Sequence, residues 1–139
     1  MKSTDFELFD HTADIGLRLA RPVLSDLYRD AAYALFALIA PKSEFQPLVQ
    51  KKVQVQGDDS EQLLVNWLSE LNFLFLTDQY APAKINVSVN NDIINAVLWG
   101  EIVDPDKHDI ELEIKAVTYH KIYVKQDGDL WRAQVIFDI

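Results

Sequence analysis

The sequence contains no cysteine, only four glycines and only five prolines among 139 residues. The absence of cysteine excludes disulfides, thiolate catalysis and sulfur-ligated zinc, and it suits a cytoplasmic protein. The apolar runs are too short to span a membrane, and the N-terminal residues lead into no apolar stretch. We therefore expect a cytoplasmic protein without a membrane segment. Four glycines provide no glycine-rich phosphate loop, which argues against GTP binding by this chain itself.

Basic residues are also scarce. The chain has 13 Lys and Arg against 22 Asp and Glu, a formal net charge of −9. Because phosphate backbones are bound mainly by Lys and Arg, tight direct binding of RNA or DNA is disfavoured. A cation or a basic protein partner is easier to accommodate, while the alternative is that the charge only maintains solubility. The length and the 49% hydrophobic composition predict one globular domain over residues 1–139.

The hydrophobic pattern predicts two helices and seven strands. The first helix begins at Ser25, a good N-cap, and Pro41 closes it. The second is marked by a capping box of Asp59 and Gln62, and its Trp67, Phe73 and Phe75 are expected in the core. The predicted strands cover residues 6–9, 15–20, 49–56, 82–89, 93–103, 110–125 and 130–138. This order predicts an α+β fold with two helices packed on a mostly antiparallel sheet.

The unusual residues form three separated groups: residues 10–16 (Asp-His-Thr-Ala-Asp-Ile-Gly), residues 113–120 (Glu-Ile-Lys-Ala-Val-Thr-Tyr-His) and the terminal Phe-Asp-Ile. If the fold brings them together, two carboxylate side chains and the chain end form a cluster of hard oxygen ligands near a lysine. Such a set suits calcium, magnesium or manganese. The alternative is a structural ion pair at the terminus.

A two-residue turn at Asp127-Gly128 would define the register of the last hairpin. That register places Val117 opposite Asp138 and predicts a contact between Lys115 and Asp138 across the diagonal. It also directs His120 towards the core. A bulge would change this assignment, because a slip of one residue turns a strand over.

The other polar residues of interest, Asp10, His11 and His108, are expected to have mainly structural roles. Asp10 is expected to be a turn-former and His11 a packed, hydrogen-bonded residue, although His11 is also a candidate for chemistry. His108, with the acids around it, suggests metal ligation only superficially. We expect that loop to be a solvated connector.

The motifs at residues 10–16 and 114–120 and the terminal Val-Ile-Phe-Asp-Ile resemble the archease family, and the similarity spans the whole chain. The resemblance implies an archease-like α+β fold and a protein that is not itself an enzyme. It implies an activating partner of the RtcB-type RNA ligase, which joins RNA ends with GTP in tRNA splicing and RNA repair. Such partners promote guanylylation and multiple turnover of the ligase.

The resemblance also implies site residues. A divalent cation, calcium in structures of the family, would be held by Asp14, Asp138 and Ile139, and Lys115 would be functionally important. Tyr119 and His120, together with His11, are further candidates. Lys121 departs from the small or acidic residue of many relatives and would alter the rim that meets a partner.

Two other functions stay open. The first is an independent divalent-metal-dependent phosphohydrolase, which would use the carboxylates to activate water. The second is a chaperone-like modulator of RNA-modifying enzymes, which would bind several unrelated partners.

Overall fold

The computed structural model describes residues 6–11 and 13–139, and the side chains of Asp10 and His11 lie outside this description. Two helices and seven strands follow the predicted order. The elements are β1 (Phe6–His11), β2 (Asp14–Arg21), α1 (Leu24–Ile39), β3 (Val49–Gln56), α2 (Ser60–Asp78), β4 (Tyr80–Asn90), β5 (Ile93–Ile102), β6 (Ala116–Asp127) and β7 (Leu130–Asp138).

The described strands form two antiparallel sheets. Sheet A has the order β1-β2-β7-β6, and sheet B has the order β3-β5-β4. The α+β class is confirmed, with the strands divided between two sheets. Both helices pack against both sheets: α1 contacts β4 as well as β2 and β7, and α2 contacts β6 as well as the strands of sheet B. The core therefore lies around the helices, between the sheets.

The two helices are joined through Tyr28 and Trp67, both fully buried. The Trp67 indole donates to the Tyr28 carbonyl (2.8 Å), and the Tyr28 hydroxyl donates to the Ser60 carbonyl (2.9 Å). Burial raises the pKa of the Tyr28 phenol, and the Ser60 side chain offsets only part of that rise. These bonds satisfy the polar ends of two large side chains that would otherwise be costly to bury.

The start of α2 follows the prediction, and the start of α1 does not. Asp59 caps α2, since its carboxylate accepts from the Gln62 N–H at 2.8 Å. In α1 the N-cap is Val23, which offers no side-chain hydrogen bond, so the prediction of a Ser25 cap is wrong. The predicted core position of Phe73 is also wrong, because this side chain is 58% exposed whereas Trp67 is fully buried.

The last hairpin turns one residue later than predicted. Asp127 pairs with Leu130, so that Gly128, with φ +63°, occupies the first central position of the turn. Glycine with positive φ at this position is the type II′ preference. The predicted strand over 110–125 is also wrong in its first part, because residues 103–115 form an irregular segment and β6 begins at Ala116.

Candidate functional site

One end of sheet A carries two directly opposed aspartates. β2 begins at Asp14, β7 ends at Asp138, and these two residues pair in the antiparallel register. Because strand residues alternate between faces, and Leu17 and Phe137 point into the core, both aspartates lie on the face away from the helices. Opposed residues have Cβ atoms about 5 Å apart. The fold therefore brings together two of the three groups that the sequence kept separate.

The Asp14 carboxylate is incompletely satisfied. Its Oδ1 is buried and has no hydrogen-bond partner among the described residues, while Asp138 is exposed. Like charges directly opposite each other destabilise a strand pair, and a buried oxygen without a donor is costly. Both penalties disappear if a cation lies between the carboxylates. This pair is therefore the strongest candidate for a ligand site on sheet A.

The last residue of the chain lies beside Asp14. The Ile139 N–H donates to the carbonyl of Ala13 at 3.2 Å, and Ala13 enters β2 with φ +66°. The three predicted ligands, Asp14, Asp138 and Ile139, are thus neighbours in the structure. Their ligation of a metal stays a prediction.

Lys115 reaches this site through its main chain. Its N–H donates to the Asp138 carbonyl at 2.8 Å, and the next residue, Ala116, pairs with Asp138. The predicted partner of Asp138 was Val117, so the register is wrong by one residue although the proximity of Lys115 is confirmed. The Lys115 side chain is exposed and forms no ion pair with a described residue. The structure therefore brings the backbone of Lys115 to the aspartate pair, while Ala116 shares the face of Asp138.

The donor set fits a hard cation. Within the described chain, no three His, Cys, Asp or Glu side chains come together as metal ligands. Two aspartates would need a further oxygen, and the carboxylate of Ile139 is the group that the fold brings next to them. Carboxylate oxygens without sulfur or imidazole suit calcium, magnesium or manganese rather than zinc.

The register error combines the later turn, which shifts the β6 partner of Asp138 by two positions, with a bulge in β6, which shifts it by three in the opposite direction. Residues 119–122 of β6 oppose only Val135 of β7, and Lys121 within the bulge has φ +53°. The Gln134 amide donates to the Lys121 carbonyl (2.8 Å) and accepts from Arg18 (2.7 Å). Bulges twist strands and redirect side chains.

Two further candidates lie in this bulge. Tyr119 is 54% exposed and His120 is also exposed, so the prediction that His120 faces the core is wrong. Both side chains are accessible to a partner. His11 pairs with Asp14 through the backbone register, whereas its side chain, like that of Asp10, lies outside the described residues.

Gly16, the last residue of the first motif, has a steric role. A Cβ at this position would overlap the ring of Phe9, which lies across the strand. Arg18 also stacks on that ring, 4.1 Å from its centroid, and pairs with Glu7 at 2.9 Å. The aromatic ring therefore separates the aspartate pair from the nearest arginine on the same face.

A second acidic cluster, around Glu101, is fully provided with donors. Its carboxylate accepts from the Gln46 N–H (2.9 Å) and contacts Lys107 (3.3 Å) and the His108 Nε2 (2.8 Å). The His108 N–H does not point along that last line, so the contact is electrostatic rather than a well-aligned hydrogen bond. Burial raises the pKa of Glu101, but the Gln46 and Lys107 contacts lower it by more, and it lies below its usual value.

This cluster corrects the prediction of a solvated connector. His108 is 6% exposed, its Nδ1 accepts from the Asp104 N–H at 2.9 Å, and its ring packs on Phe45. The sequence contains no periodic signal for this arrangement. The residues lie in a loop whose contacts come from distant parts of the chain.

The comparisons with known proteins agree with the fold. Residues 6–139 match the Archease protein family (MTH1598/TM1083). Among curated relatives named "Protein archease", the one from Methanosarcina acetivorans is 36% identical over 139 residues, covering 96% of this chain and 95% of the relative. The one from Sulfurisphaera tokodaii is 32% identical over 136 residues, covering 96% of this chain and 98% of the relative.

Solved structures agree as well. The solution structure of protein 1598 of Methanobacterium thermoautotrophicum is 28% identical, with a TM-score of 0.77 and coverage of 96% of this chain and 98% of that one. The crystal structure of an archease, described as a possible chaperone, from Thermotoga maritima is 19% identical with a TM-score of 0.61 over 96% of each chain, and it supports the fold alone.

These matches define the class as small α+β proteins that share the fold of this chain. The chain belongs to the archease family. Within its described part, neither helix is long and apolar enough to cross a membrane.

Proposed function

We propose that this protein activates an RtcB-type RNA ligase by presenting a divalent cation held at the end of sheet A. Family membership supports the assignment to this class of ligase partner. The observation that carries the cation site is the opposed pair of Asp14 and Asp138 with its unpartnered buried oxygen. Asp14, Asp138 and the carboxylate of Ile139 would hold the ion.

The residues around the pair have distinct tasks in this proposal. The strand register fixes the spacing of the two carboxylates, and the bond from the Ile139 N–H to Ala13 holds the chain end beside them. A bound divalent ion would supply positive charge for the triphosphate of GTP. The exposed Lys115 ammonium would contact a phosphate oxygen of the nucleotide or of the guanylylated ligase.

The exposed position of the site supports action on a partner rather than independent catalysis. Asp138, Lys115 and His120 are all exposed, as a docking surface requires. An independent phosphohydrolase would instead need a pocket that holds the phosphoester beside a metal-activated water. We therefore favour the activator over an independent phosphohydrolase.

The test is multiple-turnover RNA ligation by the cognate ligase with wild-type protein, Asp138→Asn or Asp129→Asn. Asp129 is an exposed aspartate at the other end of the same hairpin and serves as the matched control. We expect Asp138→Asn to lose activation about 100-fold and Asp129→Asn to retain it. Full activation by Asp138→Asn would reject the proposal.

A phosphoester hydrolysis screen of the isolated protein with Mn²⁺ separates the alternatives. The activator is expected to be inert in this screen. Hydrolysis by wild-type protein that is abolished in Asp138→Asn would favour the phosphohydrolase instead.

A further inference from the structure

The peptide group between Ile114 and Lys115, at the candidate site, forms a hydrogen bond through its C=O and another through its N–H. The carbonyl of Ile114 accepts a hydrogen bond from the Asn72 side-chain amide at 2.9 Å. The N–H of Lys115 belongs to the same planar peptide and donates to the Asp138 carbonyl at 2.8 Å. A side chain of α2 is therefore connected to the last residue of β7 through a single rigid group.

The hydrogen bond from Asn72 to Ile114 lies at the end of a segment without regular secondary structure. Residues 103–115 have no helix or strand, and Lys115 is the last residue of this segment before β6. Ile114 is 1% exposed, whereas the next side chain, Lys115, is exposed. The Asn72 bond thus supplies a partner for a backbone carbonyl that no ladder satisfies.

Asn72 is not a residue that stability alone would favour. It is 6% exposed, and its Oδ1 is buried without a partner among the described residues. A half-satisfied buried amide costs free energy, because its oxygen has lost its water without gaining a donor. Residues that break such local rules are expected at positions whose value is functional.

We propose that Asn72 is a positioning residue that holds the main chain of Lys115 against Asp138. By fixing the Ile114–Lys115 peptide, it keeps the backbone of Lys115 in register with Asp138 at the end of sheet A. The inference deepens the proposed function and rests on it for the role of the cation. The positioning of the Lys115 main chain by Asn72 does not depend on a bound metal.

The chain offers a matched control on the same helix. Asn66 donates from its side-chain amide to the Gln56 carbonyl, also at 2.9 Å, but this bond joins α2 to β3 of sheet B and does not involve the Ile114–Lys115 peptide. Asn72→Leu and Asn66→Leu each remove one bond of the same type. Asn72→Asp keeps the shape of the side chain and removes the amide donor, so it replaces Asn72→Leu if that variant folds poorly.

The first measurement is hydrogen exchange of the Lys115 amide by NMR in metal-free protein. We expect exchange to be at least about tenfold faster in Asn72→Leu and Asn72→Asp and unchanged in Asn66→Leu. The melting temperature of Asn72→Leu is expected to stay within about 4 °C of wild type, because the variant loses the orphaned amide oxygen but leaves the Ile114 carbonyl without its donor, and the two effects largely cancel. Unchanged Lys115 exchange in both Asn72 variants would overturn the proposal.

The second measurement is calorimetric titration with Ca²⁺. Asn72→Leu is expected to bind Ca²⁺ about tenfold more weakly than wild type, and Asn66→Leu equally well. Equal affinity in Asn72→Leu would remove the functional part of the inference. If wild-type protein binds no Ca²⁺, the proposed cation site fails, whereas the exchange measurement still decides whether Asn72 holds Lys115.

Discussion

Two acidic sites in the described part of the chain, at Glu101 and at the Asp14–Asp138 pair, differ in how their carboxylate oxygens are hydrogen-bonded. Glu101 is buried, and a backbone N–H, a lysine and a histidine surround its carboxylate. The aspartate pair has two opposed carboxylates, one with a buried oxygen that accepts no hydrogen bond from a described residue. A buried acid with its donors in place stabilises the fold. An acid pair without donors indicates a place for a ligand that comes from outside the chain.

The largest expected effect is on stability at the satisfied cluster. Glu101→Leu removes the acceptor of the Gln46 N–H and leaves Lys107 and His108 without their anion. Breaking a buried charge cluster in this way is expected to cost about 3 kcal/mol in the free energy of unfolding. Urea denaturation measures it. Ca²⁺ affinity of the folded variant should match wild type, and a loss of affinity would mean that the two clusters are coupled.

A comparable but ligand-dependent effect is expected at the aspartate pair. Ca²⁺ at about 100 times its Kd should raise the free energy of unfolding of wild-type protein by about 2.7 kcal/mol, because only the folded state brings the ligands together. The same concentration of Ca²⁺ should not change the free energy of unfolding of Asp14→Asn. Thermal unfolding with and without Ca²⁺ measures this, with Asp129→Asn as the control that should still respond.

We expect the loss of stability at low pH to arise from protonation of Glu101. The pKa of Glu101 is lowered in the folded protein, so its contribution is complete above its ordinary pKa of 4.5 and is lost as pH falls through the lower folded value. Glu101→Gln should flatten the stability profile below about pH 4.5. Equal slopes for wild type and Glu101→Gln in metal-free urea titrations would assign acid unfolding to other groups.

The smallest expected effect has the opposite sign. Without metal, Asp138→Asn should leave stability unchanged or raise it by about 0.5 kcal/mol, because it removes a like charge directly opposite Asp14. Urea denaturation in the presence of a chelator measures this difference. A marked loss of stability would show that the Asp138 carboxylate is paired within the fold, like Glu101.

Local features of the fold could be predicted from the sequence. The capping box at Asp59 and the alternation in β3 depend on neighbouring residues, and both appear as expected. Co-localisation of the site residues was also predicted, since the resemblance to the archease family places Asp14 beside Asp138. The geometry between residues 10–16 and the chain end could not be derived from spacing, because pairing of distant strands has no local signal.

The errors share a physical cause. The β6 bulge depends on Gln134 binding the Lys121 carbonyl, and the burial of His108 depends on Glu101 and Phe45. Asn72 meets Ile114 across 42 positions of the chain. Such contacts are made by tertiary packing, which overrides turn and pattern preferences and leaves no periodic trace in the sequence.

The central claim is that Asp14 and Asp138 together hold one divalent cation. A crystal of the protein grown with Mn²⁺, measured for anomalous scattering, tests it most directly. We predict one strong anomalous peak within about 2.5 Å of carboxylate oxygens from both aspartates, absent in Asp138→Asn crystals. Mn²⁺ bound elsewhere, or an empty position between the two aspartates in wild-type crystals, would contradict the account.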